Sequence, residues 1–103
     1  MITPTIGRRV WFYPALASRG IFHRDFAGKV LQPADAGVAY VHGDRMINIS
    51  YADHNGQMWS TTSVPLLQDD DKPPADGFFC TWMPYQKGQA AKQEEPKSDP
   101  LGR

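Results

Sequence analysis

Between Thr5 and Tyr13 the side chains alternate, with Val10 and Phe12 on one face and Trp11 and Tyr13 on the other. A period of two over a short run predicts a half-buried strand. Pro14 ends it, because proline has no N–H to give a ladder. A long connection follows, with turns at Arg19-Gly20 and Pro33-Ala34-Asp35 and a short edge strand expected over Lys29 to Gln32. The centre of the chain is the most legible part. Gly37 to His42 and Arg45 to Ala52 are predicted strands, and Gly43-Asp44 between them suits a two-residue hairpin loop. That register sets Tyr40 opposite Ile47 and Val38 opposite Ile49. With Tyr51 these make one buried face, while Met46, Asn48, Ser50 and Ala52 make a mostly polar one.

The next hairpin turns at Asp53-His54-Asn55-Gly56 and admits two registers. A two-residue Asn-Gly loop pairs Ile47 with Val64, places Met58 and Val64 in the core and sends Trp59 to the outer face. A turn with a bulge pairs Tyr51 with Trp59 and buries the indole. The first register accommodates more apolar positions and is the expected one. Pro65 is expected to close the fourth strand, with Leu66-Leu67 tucking back under the sheet. Gln68 to Gly77 reads as a solvated loop and Phe78 to Met83 as a last strand ended by Pro84. Five short strands predict an all-β fold, a small SH3-like, partly open barrel over residues 1–85. From residue 86 to 103 Gln, Lys, Glu, Gly and Pro prevail, with Leu101 the one large aliphatic, so a disordered tail is expected.

Composition narrows the chemistry. The 103 residues carry 11 Lys+Arg and 11 Asp+Glu, a formal net charge of zero, which disfavours a nucleic-acid binder or a polybasic membrane anchor. No apolar run is long enough to span a bilayer and no leader sequence is visible, so a cytosolic protein is expected. The charge is uneven all the same. Residues 1–30 hold Arg8, Arg9, Arg19, Arg24 and Lys29 against Asp25 alone, and residues 69–76 hold four Asp against Lys72. Such asymmetry can orient an anionic partner over the N-terminal part, or belong to solvated loops.

Catalytic signals are weak. The single Cys80 lies among aromatics in Phe78-Phe79-Cys80-Thr81-Trp82, a setting for an inert buried thiol rather than a nucleophile. His42 with Asp44, and His54 with Asp53, flank turns, where an Asp bonds its own backbone. No phosphate-binding Gly-rich loop and no Gly-x-Ser-x-Gly elbow is present. No catalytic residue, metal ligand or cofactor is therefore assigned. Aromatic and Arg residues remain, because they dominate protein-binding hot spots and also stack on bases. Arg8, Arg9, Trp11, Tyr13, Arg45 and Trp59 are the candidate binding residues, with Arg24, Trp82, Tyr85 and Lys87 as further candidates.

The segments Ile6-Gly7-Arg8-Arg9-Val10-Trp11-Phe12, Gly43-Asp44-Arg45-Met46-Ile47-Asn48, Asp53-His54-Asn55-Gly56, Thr62-Ser63-Val64 and Trp82-Met83-Pro84-Tyr85-Gln86-Lys87-Gly88-Gln89-Ala90 resemble small uncharacterised proteins of tailed bacteriophages and prophages. The resemblance implies a phage origin and a host bacterial cytoplasm. It carries no activity, cofactor or site residue. The expected function is a non-enzymatic binding module acting on a host component, of accessory or anti-defence type. The alternatives are a minor virion or assembly protein, and sequestration of a host nucleotide signal, with Arg8 and Arg9 at the phosphates and Trp11 or Trp59 on the base. The expected partner is a host protein or a small nucleotide, not a membrane, and homo-oligomers through open edge strands are a further expectation.

Overall fold

The computed structural model describes residues 1–84 except Asp76. Tyr85 and the tail expected from residue 86 lie outside the described residues. Five strands run β1 (Arg9–Tyr13), β2 (Ala34–Gly43), β3 (Met46–Ala52), β4 (Met58–Leu67) and β5 (Phe79–Trp82). They form the expected small all-β barrel of SH3-like type, and its ring is closed rather than partly open. Closure comes from β4, which does not stop at Pro65 but continues through Leu66 and Leu67. These two residues pair in parallel with Cys80 and Thr81 of β5, and β5 pairs antiparallel with β1. The short edge strand expected over Lys29 to Gln32 reduces to one bridge, Arg24 to Val30.

Alternation places the core as expected at most positions. Val10, Phe12, Val38, Ile47, Ile49, Tyr51 and Val64 are buried, joined by Leu66, Cys80 and Trp82. Phe12 packs on Tyr51 with ring centroids 4.5 Å apart. Tyr40 is the exception. A register shift after Val38 sets Tyr40 against Asn48 and gives Ile47 the partner Val41. The extra residue rotates Tyr40 out of the core, where it is 53% exposed.

The second hairpin contains both expected registers, one in each half. Near the turn Tyr51 faces Trp59 and Ile49 faces Thr61; further along Ile47 faces Val64 and Met46 faces Pro65. A bulge between the halves absorbs one residue of β4. Ser63 there has φ of 56°, in the left-handed region. Its N–H finds the Asn48 side chain instead of a ladder partner, at 2.8 Å, and the same Oδ1 accepts from His42 Nε2. As a result Trp59 packs half-buried against the core instead of standing on the outer face, and Met58 is exposed rather than core.

The segment from Gln68 to Gly77 is exposed at most described positions, as expected, with Gln68 the buried exception. Gln68, 2% exposed, plugs one end of the barrel. Its Nε2 donates to the carbonyls of Ile2 and Asp44, both at 2.8 Å, and its Oε1 accepts from Trp82 Nε1 at 3.1 Å and from the Ile2 N–H at 3.2 Å. Beside it Asp71 Oδ2 accepts from the Gln68 N–H and from Arg45 Nε.

Candidate functional site

The candidate interaction surface is the long connection between β1 and β2, residues 14–33, which covers the barrel end opposite Gln68. A loop of this length needs its own anchors to hold one shape, and Asp53 and His54 in the β3–β4 turn supply them. Asp53 is 5% exposed. Its Oδ1 accepts the N–H groups of Asn55 and Gln57, both at 2.9 Å, the local bonding expected of a turn Asp. Its Oδ2 reaches further, accepting from Trp59 Nε1 at 2.9 Å and from the Ile21 N–H at 3.1 Å. His54 continues the clamp. Its Nδ1 accepts the His23 N–H and its Nε2 therefore donates to the Gln32 carbonyl, both at 2.9 Å. Tyr51 Oη donates to the Arg19 carbonyl at 2.8 Å.

Gly20 fits between these anchors for a steric reason. A Cβ there would lie 2.8 Å from the Asp53 Cβ and 3.0 Å from Trp59 Nε1, and its φ of 109° favours glycine as well. The rest of the loop is bonded to itself. Arg24 donates to the carbonyls of Gly28 and Ala15, and Asp25 Oδ1 accepts the N–H groups of Ala27 and Lys29.

With its backbone held this way, the loop turns large apolar side chains outward. Leu16 is 81% exposed, Phe26 is fully exposed, and Ile21 and Leu31 are exposed as well. Between the loop and the barrel lies a cleft of about 560 Å³, walled by Tyr13, Leu16, Val30 and Phe79 with Arg24 and Lys29 alongside. Tyr13 and Phe79 stack with centroids 4.7 Å apart and form a flat aromatic wall.

The binding residues expected from the sequence do not converge. Tyr13 lines the cleft and Trp59 supports the loop from beneath, at the same barrel end. Trp11 is half-buried on the outer face of β1, paired with Asp35 on one side and Thr81 on the other. Arg9 lies across Gly37 and pairs with Asp35 at 2.7 Å. The Arg8 guanidinium stands 6.0 Å from the Trp82 ring centre. Arg45 is held by Asp71 at the far end. The exposed apolar residues that the sequence did not single out are Leu16, Ile21, Phe26 and Leu31. Their signal was available, since isolated large apolar side chains in a connection full of turn residues have no strand face to occupy.

Among the described residues no group of three or more His, Cys, Asp or Glu is placed to hold a metal ion, and no helix is long and apolar enough to cross a membrane. Burial pushes the Cys80 thiol far up, so the thiolate form is suppressed. The Trp59 indole N–H, helped by the backbone N–H groups of Ile21, Gln57 and Asn55, holds the Asp53 carboxyl below its ordinary value. Arg45, with the Gln68 N–H, does the same for Asp71. A carboxylate whose folded pKa is depressed contributes stability above its unfolded pKa of about 4, and that stability is lost as pH falls through the folded value. The melting temperature is therefore expected to drop on acidification below about pH 4. Asp53→Asn should be less stable at neutral pH and should show a shallower acid drop. An identical acid profile in the variant would show that Asp53 carries none of it. Comparison with protein-family models, curated protein sequences and solved structures found no match to this chain.

Proposed function

We propose that this chain is a non-enzymatic binding module that engages a protein partner through the 14–33 loop and the cleft beside it. The observation that carries this reading is the display of Leu16, Ile21, Phe26 and Leu31 to solvent on a loop whose backbone is fastened by Asp53, His54 and Tyr51. A small chain leaves large apolar groups outside its core at a cost in solubility, and four of them on one 20-residue loop support an interaction surface there. Fastening the loop in advance removes ordering entropy that would otherwise oppose binding. A protein is favoured over a nucleotide because Arg9 is already paired with Asp35, while Trp59 is engaged by Asp53 beneath the loop. In the phage setting that the resemblance implies, the partner is a host protein and the chain an accessory factor of anti-defence type.

The test is affinity capture from bacterial lysate with the wild-type chain, Leu16→Asp, Phe26→Asp and the control Lys72→Ala. The loop variants change exposed side chains, so their stability should stay within about 0.5 kcal/mol of wild type. Captured protein should fall at least tenfold in both and stay unchanged in the control. Full retention by both loop variants would refute the assignment of this surface.

A further inference from the structure

We propose that the cleft between the 14–33 loop and the barrel takes a bulky apolar side chain from an acidic segment of another protein. The inference rests on the binding-module reading and adds the chemistry of the partner. Tyr13, Leu16, Val30 and Phe79 provide apolar walls around about 560 Å³, room for an aromatic or large aliphatic anchor. The Tyr13–Phe79 stack gives that anchor a flat face to lie on.

Charge selects what flanks the anchor. The loop carries Arg19, Arg24 and Lys29, and among the described residues none of the three forms an ion pair. Asp25, the one carboxylate of the loop, is turned to its own backbone, where Oδ1 accepts two N–H groups. Arg24 is bonded to two carbonyls, which fixes its position without cancelling its charge. Arg24 and Lys29 line the cleft, and with Arg19 against Asp25 the loop keeps two net positive charges, so carboxylates on either side of the anchor meet it favourably. A second copy docking through this same face would bring like charges together, so an acidic partner is favoured over self-association. The concave cleft favours an inserted side chain, but Leu16 and Phe26 also project from the loop, so binding to lipid is an outcome that the test distinguishes.

The test titrates the full chain, isotope-labelled for NMR, with a short capped peptide holding one central phenylalanine between aspartates. Two further peptides replace the aspartates by lysines, or the phenylalanine by alanine. The acidic phenylalanine peptide should shift resonances of Tyr13, Leu16, Val30 and Phe79, and should bind at least about fivefold more tightly than either relative. Its affinity should fall with added salt. Lys29→Glu should weaken it by a similar factor and improve binding of the lysine peptide, because the Lys29 side chain supports no other part of the loop. Equal binding of the acidic and basic phenylalanine peptides would overturn the charge assignment and leave the docking cleft standing. No shift at the cleft with any peptide, together with capture unaffected by Leu16→Asp, would overturn both. Peptide-free broadening that grows with protein concentration, or sedimentation with anionic phosphatidylglycerol vesicles that Phe26→Ser abolishes, would reassign the surface to a second copy or to lipid.

Discussion

Ile49→Ala is expected to cost about 2–5 kcal/mol, the loss of burial plus the cavity left behind. Ile49 is 1% exposed and sits in the middle strand of the three-stranded part of the wall, facing Val38 on β2 and Thr61 on β4. Neighbours on both sides are fixed by ladders, so the site has little freedom to collapse into the space. Domains of this size hold roughly 5–15 kcal/mol in all, so the variant loses a large share of it. Ser50→Ala, one residue along and on the opposite face, should stay within about 0.5 kcal/mol. Urea denaturation of the pair measures both; equal effects would contradict the assignment of faces.

Gln68→Leu is expected to be comparably damaging although it nearly conserves volume. The amide serves four partners, and leucine leaves the Trp82 indole N–H and the carbonyls of Ile2 and Asp44 without it. The buried Trp82 N–H costs roughly 1–3 kcal/mol when stranded, and the part-buried carbonyls of Ile2 and Asp44 add less because water reaches them, so a total of about 2–4 kcal/mol is expected. The 1–8 segment should also loosen, because Ile2 is tied to the barrel through this side chain on both its N–H and its carbonyl. Hydrogen exchange at Ile2 and the urea midpoint test the two parts separately. A variant as stable as wild type, with Ile2 still protected, would show that packing rather than hydrogen bonding closes this end.

Strand patterns carried much of the fold. Val10 and Phe12 in β1, and Val38, Ile47, Ile49 and Tyr51 in the central hairpin, are where alternation placed them. Failures cluster where one residue changes the phase. Gly37-Val38-Ala39-Tyr40-Val41 offers Tyr40 or Val41 as the next inward group, and a bulge at Ala39 gives the position to Val41 opposite Ile47. The Asp53–Gly56 hairpin posed a choice between two registers that the chain resolves by using each in turn. Gln68 could not be read as buried, because its partners Ile2, Asp44 and Trp82 are distant in sequence. Asp53 was half legible: its turn bonds are local, but the hold of its second oxygen on Ile21 and Trp59 depends on tertiary contacts. The proposed recognition surface was the least legible part. Strand periodicity says nothing about a loop, and the Arg and Trp residues that drew attention lie elsewhere, Arg9 paired with Asp35 and Trp59 bonded to Asp53 beneath the loop.

The one-residue phase slip in β4 has a consequence for how this chain tolerates length changes. On either side of Thr62-Ser63 the ladder with β3 is in step with itself; only the offset between the two halves differs, by a single position. Deleting Thr62 would bring both halves onto one frame and turn no inward side chain outward, whereas deleting Val64, beyond the slip, would remove the core partner of Ile47. Sequences related to this one should accordingly be found with a gap at residues 62–63, where a frame can be lost without being broken.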